Sequence, residues 1–329
     1  MYELTTKEGW RERIDMILER PVMISGEELR SMSFGDRAFY NEGRARFAQA
    51  GAFVKTPLYR LFERAVRDRV MLNQFRQVGK LGVLLSGDTG NGKTTTLVEV
   101  GIAHERRRRE TGHASAAPGK IPVMYVMVPS QCSAKGLMEE FARFFGLPIP
   151  GRATYGHLLD MIANAVRRCS TELILVDDIH HLDLRYRQNI EASDMLKQLS
   201  ERCGGTFVYA GVDVEDTGLL SGSREGQIRK RFELHSARPF SLNSVEQRSD
   251  WGDLLLAIEN SLCLLDQRPG DILAAAQELH QLTNGEIGLL GDMLQLDALH
   301  AIEDGSERLD LARYARAVER RQGARMKAK

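Results

Sequence analysis

The chain has 329 residues, enough for two domains or for one large domain with appendages. Hydrophobic residues make up 43% and charged residues 27%, a globular balance that excludes a disordered chain. Lys plus Arg and Asp plus Glu both number 45, so the net charge of zero excludes a global field and leaves only local patches to bind DNA or membrane.

The N-terminal stretch MYELTTKEGWRERID is charged and has no apolar core, so it does not read as a signal peptide. No later run approaches the ~18 apolar residues of a membrane span. The cysteines, Cys132, Cys169, Cys203 and Cys263, share no metal-ligand spacing and read as free thiols. Together these features predict a cytoplasmic protein.

Residues 1–78 form a polar zone. FGDRAFYNEGRARFAQAG and TPLYRLFERAVRDRVMLNQFRQ, residues 34–51 and 56–77, place apolar residues at helical spacing. Thr56 before Pro57 has the form of an N-cap followed by proline at the first helical position. Residues 79–243 then alternate strands and helices. LGVLLS, IPVMYVMVPS, ELILVDD, TFVYAG and FELHSARPF read as five strands. Helices are expected from about Gly92 to Arg109, after the caps Ser133 and Thr154, and from Tyr186 to Arg202. Continuous apolar strands alternating with helices predict a parallel sheet covered on both faces. Residues 244–329 are helical again, as SVEQRSDWGDLLLAIENSL, PGDILAAAQELHQLT and GEIGLLGDMLQLDALHAIEDG, and end in a basic tail.

The first strand runs into Gly87-Asp88-Thr89-Gly90-Asn91-Gly92-Lys93-Thr94, which matches G-x-x-x-x-G-K-[ST] in full and continues into Thr95. A loop of this kind has few side chains to pack and offers backbone N–H groups, a helix N-terminus and one ammonium, the requirements of a triphosphate. Lys93 is placed to reach the β and γ phosphates, and the Thr94 hydroxyl to help hold Mg²⁺. The third strand ends in Asp177-Asp178, at the edge of the sheet where ligands of open α/β folds sit. Asp177 is the expected Mg²⁺ carboxylate, and Asp178 the group that polarises the attacking water. A further strand between the phosphate loop and this acidic pair marks the additional-strand class of P-loop ATPases.

GDTGNGKT, ELILVDDIHHL, TFVYAGVD and QIRKRFE in this order resemble the TniB/TnsC-type AAA+ ATPases of DNA transposition, over roughly Thr56 to Phe240. The resemblance implies a P-loop AAA+ three-layer sandwich with a parallel five-stranded sheet, a helical N-terminal segment and a C-terminal all-α lid. It implies an ATPase using ATP and Mg²⁺ that forms homo-oligomeric rings or filaments on duplex DNA. Such a protein recruits or activates a transposase of the integrase type, and hydrolysis disassembles it. Arg231 in RKRF matches the arginine finger offered to a neighbouring subunit, with Arg229 as its rival. Asp213 falls at the place of a polar sensor.

Two departures qualify the likeness. Asp178 stands where the family more often has glutamate, which implies slow hydrolysis or a mainly switch-like use of ATP. Gly285-Glu286-Ile287-Gly288 lacks the lid arginine of many AAA+ proteins. A signalling NTPase switch and a replication-initiator or helicase-loader ATPase are the alternative readings.

Outside these motifs, His180 and His181 are adjacent and converge poorly on one metal, so they read as packing or as partners of the neighbouring acid. Arg106 to Arg109 read as dipole complements at a helix end, with a phosphate contact as the rival. Arg316, Arg320, Arg321, Arg325, Lys327 and Lys329 form a basic tail, suited to salt-sensitive, non-specific DNA contact.

Overall fold

The five apolar runs form one sheet. In the computed structural model, β1 (Gly82–Ser86), β2 (Val123–Met127), β3 (Leu173–Asp177), β4 (Thr206–Gly211) and β5 (Phe232–Ser236) lie in the spatial order β2-β3-β4-β1-β5, every pair parallel. The structure describes residues 2–50, 53–114, 117–182, 188–215 and 231–327, with 188–195 and 321–327 in backbone only. Parallel strands need long crossovers, and helices fill them. α5 (Lys93–Glu110) follows β1, α6 (Ala134–Phe144) and α7 (Tyr155–Cys169) follow β2, and α8 (Gln188–Cys203) follows β3. Every residue of β1, β3 and β4 is buried, as strands covered on both faces must be. β5, at the edge, is only partly buried.

The chain forms two compact units: Met1–Met16 with Leu58–Ala237, and Ile17–Pro57 with Arg238–Lys329. The polar N-terminal zone therefore contributes to both. To the first unit it gives α1 (Lys7–Asp15), capped by the Thr6 hydroxyl, which accepts the Gly9 N–H at 3.1 Å. Trp10 and Ile14 of α1 are buried. α4 (Pro57–Asn73) begins at the proline, as the Thr56-Pro57 pair predicts, but stops at Asn73 rather than at residue 77. The reason is the Asn73 amide, which donates to the Leu81 carbonyl at 2.7 Å and accepts the Leu81 N–H at 2.8 Å. That side chain turns the backbone into β1. Ser133 and Thr154 cap α6 and α7 as expected, accepting the N–H groups of Gly136 and His157.

The second unit contains α2 (Gly26–Ser31), α3 (Phe34–Ala50), α9 (Val245–Ser261), α10 (Ala276–Thr283), α11 (Ile287–Asp304) and α12 (Leu311–Lys327). Its core is built on Trp251, Leu255, Leu279, Leu290, Leu294 and Ala298. The helix expected over residues 269–283 opens instead with a 3₁₀ turn, Asp271–Ala275. The Glu259 carboxylate accepts the N–H groups of Gly270 at 2.6 Å and Ile272 at 2.9 Å and pins that turn.

A buried ion pair ties α3 to the chain beyond α11. Arg44 is fully buried and donates to both Glu307 oxygens, at 2.6 and 2.7 Å, and to the Cys263 carbonyl at 3.1 Å. Glu307 also accepts the Leu265 N–H at 3.2 Å. Among the described residues no helix is long and apolar enough to cross a membrane.

Candidate functional site

Parallel pairing brings the C-terminal ends of β1, β3 and β4 to one edge of the sheet, where the phosphate-loop residues, Asp177, Asp178 and Asp213 fall. The loop after β1 is held by its neighbours. The Gly87 N–H donates to the Gly211 carbonyl at 3.3 Å. Gly87 has φ 152°, and a Cβ there would sit 2.0 Å from the Ala237 carbonyl oxygen, so only glycine allows the approach. Gly90 and Gly92 also take positive φ, and Gly92 opens α5.

Within this loop Asp88, Thr89, Thr94 and Thr95 are exposed, whereas Asn91 and Lys93 are buried. The Lys93 ammonium folds back onto the Asp88 carbonyl at 2.7 Å. Burial lowers its pKa, and the carboxylates of Asp177, Asp178, Asp88 and Asp213 oppose that shift. Both polar atoms of the Asn91 amide lack a hydrogen-bond partner. Buried amides are almost always satisfied in native proteins, so an orphan beside a glycine loop fits an external hydrogen-bonding group.

Asp177 ends β3 and is fully buried. One carboxylate oxygen accepts the Asp178 N–H at 2.9 Å and the other the Tyr125 hydroxyl at 3.1 Å. Burial raises its pKa. The Thr94 hydroxyl lowers it, the Asp178 charge raises it, and the bonds from the Asp178 N–H and Tyr125 lower it. No ion pair compensates this carboxylate among the described residues. A buried anion held by neutral donors, next to a threonine hydroxyl, is an oxygen donor set suited to a hard divalent cation. The residues present therefore fit both a phosphate chain and its metal.

Asp178 is half-buried at φ 53°, in the left-handed region, at the head of the 3₁₀ turn Ile179–His181. Aspartate is one of the few non-glycine residues that visit this region. Nδ1 of His180 accepts the Val212 N–H at 3.2 Å, fastening this turn to the end of β4. The His180 and His181 rings lie tilted against each other with centroids 4.2 Å apart, and no group of three His, Cys, Asp or Glu able to hold a metal occurs among the described residues. Asp213 is exposed, with φ 45°.

Two groups at this edge escaped the sequence reading. The Ser86 hydroxyl accepts the Val214 N–H at 3.1 Å and donates to the Glu215 carboxylate, linking the ends of β1 and β4. Tyr125 was legible only as an apolar strand residue.

Arg231 lies elsewhere. Its carbonyl accepts the Gly82 N–H at 2.9 Å, and its guanidinium reaches Glu201 at 3.3 Å. That places it at the N-terminal end of β5, and a five-residue strand at about 3.3 Å per residue separates it from the phosphate-loop edge by roughly 16 Å. Within one chain it is not part of the crevice. Arg229 lies outside the described residues, as do Lys329 and the side chains of Arg321, Arg325 and Lys327 in the basic tail. Arg316 pairs with Asp310 at 2.7 Å on the surface. The block Arg106–Arg109 is consumed internally. Arg106 bonds the Ile14 carbonyl, Arg107 Glu63, Arg108 Glu172, and Arg109 both Asp15 and Glu105.

The profile of the bacterial TniB protein family matches residues 55–242, more than half of the chain and all five strands. The chain belongs to the TniB family. No curated protein sequence matches it. Among solved structures, this TniB-family chain is similar to the ADP form of the Aeropyrum pernix ORC2 protein, with TM-score 0.58 and 14% identity over 82% of this chain and 69% of that one. It is also similar to the A. pernix ORC1 protein in complex with DNA, with TM-score 0.57 and 15% identity over 92% of this chain and 71% of that one. At such identities the likeness speaks for the fold, a P-loop AAA+ ATPase fold, which the strand order and loop geometry of this TniB-family chain share.

Proposed function

We infer that the crevice binds ATP with Mg²⁺ and hydrolyses it slowly, and that the nucleotide state controls assembly on duplex DNA and recruitment of a transposase. The observation that carries this reading is the pairing of two unsatisfied features at one sheet edge. The Asn91 amide has no partner, and the Asp177 carboxylate has only neutral ones.

The backbone N–H groups that follow Gly87, from Asp88 to Thr95, and the N-terminus of α5 surround the phosphates, while Gly87 itself makes room for the turn. The Lys93 ammonium exchanges the Asp88 carbonyl for the β and γ phosphate oxygens. Thr94 and Asp177 hold the metal, which when bound neutralises charge on the phosphate oxygens. Asp178 accepts the proton of the attacking water, and its short side chain on a left-handed backbone makes that step slow. Arg231 serves a neighbouring copy, since its own crevice is a strand length away.

DNA contact of this kind is to the backbone, non-specific and dependent on ATP. A duplex-DNA pull-down with and without a non-hydrolysable ATP analogue, over a salt series, tests it. Binding that ATP never increases sinks the transposition reading. A replication-initiator-like role is the second reading, favoured by the likeness to the ORC proteins. An integrase-type transposase encoded beside this chain would favour the first.

A further inference from the structure

Asp177 does not stand alone at the end of β3. The parallel register sets Tyr125 opposite Leu175 and Met127 opposite Asp177. Side chains alternate faces along a strand, so positions 125, 127, 175 and 177 share one face. The Tyr125 ring therefore runs along that face toward the C-terminal edge, and its hydroxyl meets the Asp177 carboxylate at 3.1 Å, both residues buried. The neighbouring strand supplies a control. Tyr209 of β4 is equally buried, and its hydroxyl has no partner. This sheet therefore tolerates an idle phenol, and the Tyr125 hydroxyl is not idle.

Tyr125 is itself held by α1, which precedes the family-matched residues. The indole of Trp10, on α1, stacks on its ring with centroids 6.1 Å apart and planes 16° from parallel. The indole N–H donates to Glu105 of α5 at 2.8 Å. One turn earlier on α5, Gly101 makes the room: a Cβ there would lie 2.8 Å from the Trp10 ring and 2.6 Å from Leu175. α5 is the helix that begins in the phosphate loop. Trp10 thus bridges the loop's helix and the tyrosine that touches Asp177.

We propose that Tyr125 is a positioning residue for the Asp177 carboxylate and that Trp10 of α1 holds Tyr125 in place, so that this N-terminal helix sets the metal affinity of the crevice. The proposal rests on the nucleotide and metal reading given above. Outer partners of a ligating carboxylate fix which oxygen faces the metal, and losing one weakens metal binding by about 10–100-fold.

The test is binding of a fluorescent ATP analogue to the full chain, first in EDTA and then across a MgCl₂ titration. Tyr125→Phe removes one oxygen and keeps the stack. Its half-saturating Mg²⁺ should rise about tenfold or more, while binding in EDTA, which counts folded sites, stays at the wild-type level. Trp10→Phe and Gly101→Ala, which disturb the stack and leave the hydroxyl, should shift the Mg²⁺ curve in the same direction by a smaller factor. A Tyr125→Phe curve that superimposes on that of wild type overturns the positioning role and leaves the site reading intact. An equal loss in EDTA and in Mg²⁺ overturns it as well. Wild-type protein with no metal-dependent binding removes the site and the positioning role together.

Discussion

Two buried carboxylates, one in each unit, show opposite solutions to the same problem. Glu307 is met by a full guanidinium, with both oxygens bonded to Arg44 and a backbone N–H added. Asp177 is equally buried and is met by a phenol, a threonine hydroxyl and a backbone N–H, none of them charged. The first anion is neutralised from within and is a structural joint. The second has no bonded counter-ion among the described residues, only the nearby field of Lys93, at a cost to the folded chain, and on the proposed reading awaits a cation from outside. Self-sufficiency of the local charge thus separates a strut from a site, although burial alone does not.

The comparison can be broken by removing each partner in turn. Glu307→Ala strands a buried guanidinium and should destabilise the second unit by about 3–5 kcal/mol, read by denaturant unfolding. A loss below ~1 kcal/mol would mean that water repairs the gap and that the joint is not structural. Lys93→Ala should weaken ATP binding by roughly 100-fold or more, because the ammonium is the loop's one full positive charge. Unchanged affinity by titration would remove the phosphate-loop assignment. Asp178→Asn should leave binding intact and lower turnover by about 10²-fold or more, the usual worth of a positioned base. Equal turnover would pass the role to another group.

The sharpest contrast is the smallest effect. Asp177→Asn should abolish metal-dependent binding yet stabilise the metal-free chain by about 0.5–2 kcal/mol, the usual range for relieving a functional site. Its folded-state pKa is raised above the unfolded one, so ionisation of Asp177 opposes folding at neutral pH. That opposition fades as the pH falls through the folded pKa. The stability gap between variant and wild type should therefore close on acidification, as thermal melts across a pH series would record.

How much of this was legible in the sequence follows from distance along the chain. The phosphate loop, the five strands and the acidic pair are contiguous patterns, and each occurs where the pattern places it. The groups that hold them are remote. Tyr125 and Asp177 are 52 residues apart, Trp10 and Glu105 are 95 apart, and Arg44 and Glu307 are 263 apart. No local spacing announces such pairs. Even the end of α4 depended on Asn73 reaching Leu81, which helical periodicity ignores. The arginine block shows the reverse hazard. Four consecutive cations look like a surface for phosphates, and the fold spends them on Asp15, Glu63, Glu105, Glu172 and a backbone carbonyl.

The second unit is assembled from two pieces of chain, Ile17–Pro57 and Arg238–Lys329, with the sheet-bearing stretch Leu58–Ala237 of the first unit between them. During synthesis Arg44 emerges 263 residues before Glu307. At roughly 5–20 residues per second it waits about 13–53 s for its counter-ion. The ribosome therefore completes the sheet first, while an unmatched helix trails from its leading end. A truncation that begins the chain at the phosphate-binding half would take away part of both units, and so would miss the joint it was designed to isolate.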